Sequence, residues 1–522
     1  MRDRVLHERA EIAKRPEGGG DASVRDRWST TTCLMLIGVV FVVSRVVYAT
    51  VLNVGFDASP LSYYVQYLDP RLLKEDLLRS LLNLHSQPPA FNLFLGLVLK
   101  TFPTRYDVVF HLVFLAAGLL MAWVLYLTMV SFGVRHAIAA GITIVAMCDP
   151  TTVLYEHWLF YTYPLMLLVL MAVWLLRRAT TTGKFGDYFG FFSCLALAVL
   201  TRSTYHVALF VMMAAIVVTL QQERRLIVWA AAPAAAMLLA VHANAYARFG
   251  ALSLGDSYAG INAPVLAFSY LPMATHEELV KAGKVNGATL VVRRSGVVSP
   301  LAAYRPYVPQ LRDLRPTGIP ALDEERKTQG WVNFNHQGFR LIADQVLTDS
   351  LYALREYPGA YLRYVVDNIR RYGLSRELAF PFTERRTLPL VNRRSNEELV
   401  SVCRTIGLSE FGVVPWLKCG AFALLTAYAL WLAVVGLKSG DRSMGICMLF
   451  ALGVIAPSYI LILVSYGDQS RYRAEVDPVY LLILAIMLER AASRVTTLGR
   501  GDGARRGAAL VPTRIAGHLR RS

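Results

Sequence analysis

The chain has 522 residues, of which 55% are hydrophobic and 17% are charged, and its formal net charge is +17. This apolar content is higher than that of a soluble domain, so the composition predicts an integral membrane protein. The arginines lie at the ends of apolar stretches and in the tails, where membrane topology accounts for them, so the charge does not indicate nucleic-acid binding. The cysteines form no CxxC pattern and lie mainly in or beside apolar stretches, which excludes a disulfide framework.

The chain begins with a polar segment, residues 1–28, which is predicted to be a disordered cytoplasmic tail. The apolar stretch at 31–52 is long enough for a signal anchor that stays in the membrane. In all, about ten stretches have the roughly 20 residues needed to cross about 30 Å of hydrocarbon. They lie near residues 31–52, 107–131, 134–149, 159–177, 185–201, 204–220, 226–246, 413–437, 443–465 and 475–492.

The first outer loop, residues 53–106, carries two signals for short helices. Ser59-Pro60 and Asp69-Pro70 each place a capping oxygen before a proline at the first helical position. After Pro70, leucines recur at helical spacing with charged residues between them, which predicts a helix lying in the membrane–water interface.

The topology depends on whether the run 90–99 crosses the membrane. It follows a Pro-Pro pair, contains Asn92 and Gly96, and ends at Lys100, so it is predicted to be re-entrant or interfacial. With that choice, the main basic clusters between spans fall on the same side as the N-terminal tail, as the positive-inside rule requires.

These features divide the chain into a tail (1–28), an N-terminal transmembrane module (29–246), an extracytoplasmic domain (247–412), C-terminal transmembrane helices (413–495) and a basic cytoplasmic tail (496–522). The predicted fold is an all-α polytopic membrane protein with interfacial helices in the first outer loop and a mixed α extracytoplasmic domain.

Ionisable residues at the outer ends of spans are costly to keep there, so they are candidates for function. They form four groups: Asp57 with His85; Asp149 with Glu156 and His157; Arg202; and Asp468, Arg471, Arg473, Glu475 and Asp477.

Each group also has a structural interpretation. Asp57 fits a turn or a helix cap, and Asp149 fits a cap for the helix that starts at Pro150. The side chain of Arg202 could extend to a lipid headgroup, and Arg471 and Arg473 could form a salt-bridge network in the outer loop. Glu156 lies in an apolar and aromatic context, which favours a functional role.

Carboxylates and arginines in this setting suit phosphate-leaving-group chemistry. A carboxylate shielded from water has a raised pKa and can deprotonate a hydroxyl. A guanidinium group can hydrogen-bond to two oxygens of the leaving phosphate at once and stabilise its charge. The scheme requires no metal, and no metal-ligand motif is present, although a divalent metal stays open.

Several motifs together resemble the GT-C glycosyltransferases, particularly the branch of protein O-mannosyltransferases, aminoarabinose transferases and bacterial Rgt-like enzymes. They are Gly55-Phe-Asp57 after the first span, His85-Ser-Gln-Pro88-Pro89, an acidic second outer loop, and Arg471-Tyr-Arg473 before the last span. The resemblance covers residues 30–246 and 413–495.

The resemblance implies a GT-C-like arrangement of about ten transmembrane helices and a polyprenyl-phosphate-linked sugar donor. It implies Asp57 as the catalytic base and Glu156 as a second catalytic acid. It also implies that Arg202, Arg471, Arg473 and His85 bind the donor phosphate. Asp69, in the same loop as Asp57, is a second candidate acid or a helix cap.

The resulting prediction is an inverting cell-envelope glycosyltransferase in a bacterial plasma membrane, with both termini cytoplasmic and an extracytoplasmic active site. Its partners would be the lipid bilayer, the lipid-linked donor and a protein, lipid or glycan acceptor, with no nucleic acid. A transporter or flippase of a lipid-linked substrate is the first alternative, and it predicts charges near the membrane midplane. A polysaccharide polymerase or ligase is the second, and it predicts dependence on loop arginines such as Arg363 and Arg371.

Overall fold

The computed structural model describes residues 28–250, 254–295, 299–374, 413–465 and 468–508, with side chains described as far as 494. The predicted N-terminal tail up to residue 27 and the end of the predicted basic tail lie outside the described residues.

The described ranges are almost entirely helical and contain no β-strand, which confirms the predicted all-α fold. The helices of the first half are α1 (Thr30–Thr50), α2 (Pro60–Tyr63), α3 (Pro70–Glu75), α4 (Leu77–Leu82), α5 (Ala90–Thr101), α6 (Tyr106–Ser131), α7 (His136–Cys148), α8 (Pro150–Glu156), α9 (Thr162–Thr182), α10 (Phe185–Thr201), α11 (Val207–Leu220) and α12 (Arg224–Phe249). Those of the second half are α13 (Asp256–Phe268), α14 (Met273–Lys281), α15 (Ala288–Ser295), α16 (Pro320–Asp323), α17 (Gly338–Glu356), α18 (Pro358–Tyr372), α19 (Val414–Ser439), α20 (Arg442–Val464), α21 (Gln469–Ala474) and α22 (Asp477–Ala508).

Within these ranges, 6 helices are long and apolar enough to cross a membrane, or 7 if the bent pair α7 and α8 forms one span. Each predicted apolar stretch coincides with a helix, but fewer qualify by length and composition than the about ten expected. The shortfall arises because α10 and α11 are only 17 and 14 residues long and because charges begin early in α22. The protein is therefore a multi-pass membrane protein.

The first outer loop contains two short helices where its proline signals predict them. α2 and α3 begin at Pro60 and Pro70, and the Asp69 carboxylate accepts a hydrogen bond from the backbone N–H of Arg71. The predicted cap at Ser59 is wrong, because its side chain makes no capping hydrogen bond. The leucine-rich helix predicted after Pro70 is not continuous, because Asp76 adopts φ −134° and ψ 51° and separates α3 from α4.

Helix α5 occupies the run whose topology the sequence left to be decided. Its 12 residues extend for about 18 Å, well short of the roughly 30 Å of a bilayer core. One side is buried against α3, α4 and α6, whereas Leu93 and Leu97 are exposed on the other. This geometry agrees with a helix that does not cross.

The region 254–374 has its own core, in which α13 packs along α17, and it sits directly on the first outer loop. The buried Lys327 donates to the backbone oxygen of Tyr64 at 2.7 Å, and Thr328 hydrogen-bonds to the Asp69 carboxylate. These contacts attach the first outer loop to the region 254–374, which is called the outer region below. A cavity lies where the loop and the outer region meet the membrane helices.

Candidate active site

A cavity of about 520 Å³ lies where several distant parts of the chain meet. Its walls come from the first outer loop, the start of α9, the link after α10, helices α13, α17 and α18, the end of α20, and α21. Segments far apart in sequence thus converge here. The polar lining includes Gln66, Gln87, Tyr161, Arg202, Asn262, Asp344, Arg471 and Tyr472.

Two predicted phosphate ligands, Arg202 and Arg471, line this cavity together. Arg202 follows the last residue of α10 in an extended conformation and forms a buried ion pair with Glu475. Arg471 and Glu475 are four residues apart across α21, so helical spacing puts them on one face and brings Arg202 beside Arg471. The two guanidinium groups are therefore held in one place.

Two tyrosines share the contacts of these arginines. The guanidinium carbon of Arg202 is 5.3 Å from the ring centroid of Tyr161 and 4.6 Å from that of Tyr472. The corresponding distances for Arg471 are 5.9 Å and 5.1 Å. Aromatic faces attract cations, so the two rings position the guanidinium groups. The Tyr161 hydroxyl also accepts a hydrogen bond from Nη1 of Arg471 at 3.3 Å.

Two buried donors in this cavity lack an acceptor among the described residues. They are Nε of Arg471 and Nε2 of Gln87. A different nitrogen of Arg471, Nη2, makes an ion pair with Asp468 at 2.7 Å. Buried polar atoms almost always have a partner, so such donors call for an explanation, and an unbound anionic ligand supplies one. Their convergence makes the cavity suited to phosphate oxygens.

The opposite wall of the cavity is apolar and reaches the surface. Leu347, Leu351 and Leu354 follow one another at helical spacing on α17, and Leu463 and Val464 end α20. Leu351 is 59% exposed and Val464 is 53% exposed. An apolar surface beside a cationic recess matches a ligand with a charged head and a hydrocarbon tail.

Asp57 does not line the cavity but is joined to its wall. Its backbone N–H donates to the oxygen of His157 at 2.7 Å, and its backbone oxygen accepts from Leu159 at 2.9 Å. The segment held in this way continues to Phe160, whose ring lies 5.0 Å from the guanidinium carbon of Arg471. Burial raises the pKa of the Asp57 carboxyl, while hydrogen bonds from Ser59 oppose the shift.

Glu156 is fully buried and does not line the cavity. Arg45 donates from Nε to Oε1 at 2.8 Å and from Nη2 to Oε2 at 2.6 Å, and the Tyr163 hydroxyl donates to Oε2 at 2.6 Å. A Cβ added at Gly118 would lie 2.3 Å from Oε2, so this glycine makes room for the carboxylate. The geometry favours a structural ion pair that joins α1 to α8, although the predicted acid role remains a prediction.

The other two predicted ligands have different surroundings. Arg473 lies two residues from Arg471, so helical geometry turns it to another side of α21, where it donates to the backbone oxygens of Tyr372 and Leu374. His85 hydrogen-bonds to Ser257 at 2.7 Å and to the Asn335 backbone oxygen at 3.1 Å. Neither residue lines the cavity.

Three residues that line the cavity were not among the candidates from the sequence, namely Gln87, Tyr161 and Asp344. Asp344 is exposed, so it is the carboxylate that a ligand in the cavity would meet most readily. The two prolines after Gln87 were the one signal that its backbone is held in place.

The described residues contain no group of three or more His, Cys, Asp or Glu side chains that could hold a metal ion.

No family model and no curated protein matches the sequence. Among solved structures, the crystal structure of ArnT from Cupriavidus metallidurans in the apo state matches 87% of this chain and 77% of that chain, with 14% sequence identity and a TM-score of 0.28. At this identity and TM-score, the match assigns no chemistry to the present chain.

Proposed function

We propose that the protein is a membrane glycosyltransferase that moves a sugar from a polyprenyl-phosphate-linked donor to a hydroxyl acceptor. The observation that carries this proposal is the cavity in which Arg202, Arg471 and Gln87 meet opposite an exposed apolar wall. The motif resemblance of the sequence to GT-C enzymes points to the same class of reaction.

In this proposal the donor binds with its phosphate against the two arginines. Nε of Arg471 and Nε2 of Gln87 donate to phosphate oxygens, because both are buried donors without an acceptor among the described residues. The polyprenyl chain follows Leu347 and Leu351 on α17 towards the bilayer. Arg473 and His85, whose hydrogen bonds go to protein groups, support the surrounding structure.

The transfer is a direct displacement at the anomeric carbon. The acceptor oxygen forms a bond to this carbon as the bond from carbon to phosphate oxygen breaks, and the electron pair leaves with the phosphate. The arginines stabilise the charge that develops on the leaving group, and a carboxylate accepts the hydroxyl proton. Attack from the face opposite the phosphate inverts the anomeric configuration.

Asp57 is the proposed base. Burial raises its pKa and so makes its carboxylate a stronger base, and no Lys, Arg or His forms an ion pair with it in the described part of the chain. This assignment requires the acceptor to approach along the segment 159–161, which connects Asp57 to the Arg471 guanidinium. Asp344 is the competing carboxylate, since it lines the cavity directly.

The region 254–374 is the proposed place for acceptor recognition, because it forms the outer rim of the cavity. The acceptor class stays open between protein, lipid and glycan. We further propose that this rim faces the extracytoplasmic side of a bacterial plasma membrane, with both termini in the cytoplasm, on the basis of the positive-inside pattern.

The proposal is tested by incubating the purified full-length protein with a panel of polyprenyl-phosphate sugars and short hydroxyl acceptors. A glycosyltransferase releases free polyprenyl phosphate from at least one donor, and the Arg471→Gln variant does not. A transporter or flippase instead moves intact lipid-linked sugar across vesicle membranes without releasing polyprenyl phosphate, and that result would overturn the proposal.

A further inference from the structure

A second cavity, of about 300 Å³, lies between α19 and α22. Beside it on α22, Glu489 pairs with Arg135 at 3.0 Å, and Arg135 lies in the link between α6 and α7. Helix α6 begins directly after the first outer loop, so its other end, and with it the second cavity, lies on the opposite side of the helix bundle from that loop. The lining residues are Tyr428, Trp431, Met487, Arg490, Ala491 and Arg494.

One wall of this cavity is aromatic and partly exposed. The rings of Tyr428 and Trp431 stack with centroids 5.4 Å apart, and Trp431 is 43% exposed. The guanidinium carbon of Arg490 lies 5.9 Å from the Trp431 ring centroid. Tryptophan and tyrosine are enriched where a membrane meets water, so this wall is suited to the depth of lipid headgroups.

The other wall carries two arginines that have no carboxylate partner among the described residues. Arg490 and Arg494 are four residues apart on α22 and therefore share a face. No ion pair involves either residue among the described parts of the chain. Other arginines at this end do have carboxylate partners, namely Arg135 with Glu489 at 3.0 Å, Arg177 with Asp441 at 3.9 Å and Arg178 with Asp187 at 3.2 Å.

We propose that this cavity binds the phosphodiester headgroup of an anionic phospholipid. Two guanidinium groups on one helix face match the phosphate oxygens, and the aromatic wall meets the glycerol and the first carbons of the acyl chains. The charge of the lipid supplies the counterion that Arg490 and Arg494 do not find among the described residues. No residue lines both cavities, and this site does not depend on the function proposed for the larger one.

The experiment uses the purified full-length protein in a neutral detergent. Phosphatidylglycerol or phosphatidylcholine with the same acyl chains is added, and retained lipid is counted by native mass spectrometry. The test variant is Arg490→Gln/Arg494→Gln. The control variant, Arg224→Gln/Arg225→Gln, removes the same charge from exposed arginines at the start of α12. All proteins are first checked for the same elution volume and melting temperature, and the single variant Arg494→Gln is included in case the double variant fails that check.

We expect the native protein and the control variant to retain phosphatidylglycerol about tenfold better than phosphatidylcholine, as one charge-assisted contact implies. The test variant should lose this preference, and Arg494→Gln should lose part of it. Retention of the full preference by the variants would overturn the proposal. So would an equal loss in the control variant, or displacement of phosphatidylglycerol by an equal concentration of inorganic phosphate, since either would indicate attraction to charge alone.

Discussion

The guanidinium of Arg202 pairs with the carboxylate of Glu475, and their side chains are only 8% and 2% exposed. Glu475 stands four residues after Arg471, so this contact joins the end of α10 to the short helix α21. It places two arginines from distant parts of the chain in one cavity and compensates one of their charges. Arg471 is in turn paired with Asp468 at 2.7 Å, so both arginines meet a ligand with their charges partly compensated, and Nε of Arg471 is the buried donor left for it.

Replacing Glu475 by glutamine should destabilise the protein, because it leaves Arg202 buried without its counter-charge. Breaking a buried pair in this way costs about 3–5 kcal/mol. Asp441→Asn is the matched control, since Asp441 pairs with Arg177 at the surface and asparagine keeps the helix cap of α20. Thermal unfolding in detergent should show a large loss for Glu475→Gln and a change below about 1 kcal/mol for Asp441→Asn.

The role of Glu156 can be separated from catalysis by replacing the whole ion pair. Glu156→Ala alone should lower the free energy of unfolding by about 3–5 kcal/mol, since Arg45 stays buried and unpaired. The double variant Arg45→Met/Glu156→Met should recover most of this stability and keep transfer activity if the pair is structural. A stable double variant without activity would instead support the acid role predicted from the sequence.

Asp57 and Asp344 compete for the role of base. Asp57→Asn should lower the rate of transfer about 10²–10⁴-fold while the melting temperature and donor binding stay unchanged, because a general base contributes that much. Asp344→Asn, the matched change within the cavity, should have a smaller effect that acts mainly on KM. The opposite order of the two rate losses would assign the base to Asp344.

Acid should weaken the attachment of the first outer loop to the outer region through His85. Burial, followed by the nearby charge of Arg340, lowers the pKa of His85 to about 3. The unfolded chain then binds more protons than the folded chain below pH 6.5, so stability present above that pH is lost as the pH falls towards 3. The slope is at most about 1.4 kcal/mol per pH unit.

The measurement for His85 compares the native protein with His85→Gln by thermal unfolding between pH 4 and pH 8. The variant should be less stable at pH 7.5 and should lose less stability on acidification, because it has no imidazole to protonate. Burial also lowers the pKa of the neighbouring His336, so the informative quantity is the difference between the two proteins. Parallel pH profiles would contradict the assignment to His85.

Local patterns predicted much of the fold. Apolar length located the 6 helices of the described residues that are long and apolar enough to cross a membrane. The Asp-Pro pairs located the starts of α3 and α8. Both signals depend on nearby residues alone. The same reasoning selected Arg202 and Arg471. It could not separate Arg471 from Arg473, because which face of α21 meets the cavity depends on the packing of α20 and α21 against the outer region.

Long-range pairings account for the remaining differences. Glu156 was chosen for its aromatic surroundings, but its partner Arg45 lies 111 residues earlier, inside the first span. Gln87 lines the cavity because the region 254–374 packs over the first outer loop. Sequence spacing contains no record of such contacts, so they appear only in the folded chain.

The central claim is that Arg471 binds the phosphate of a lipid-linked donor, and the binding of undecaprenyl phosphate to the purified protein tests it most directly. Arg471→Gln should weaken the affinity roughly 10- to 100-fold, the loss expected for hydrogen bonds from a charged donor. Arg363→Gln, an exposed arginine outside the cavity, should bind as the native protein does. Unchanged binding by Arg471→Gln, or a larger loss in Arg363→Gln, would contradict the account and favour the polymerase alternative.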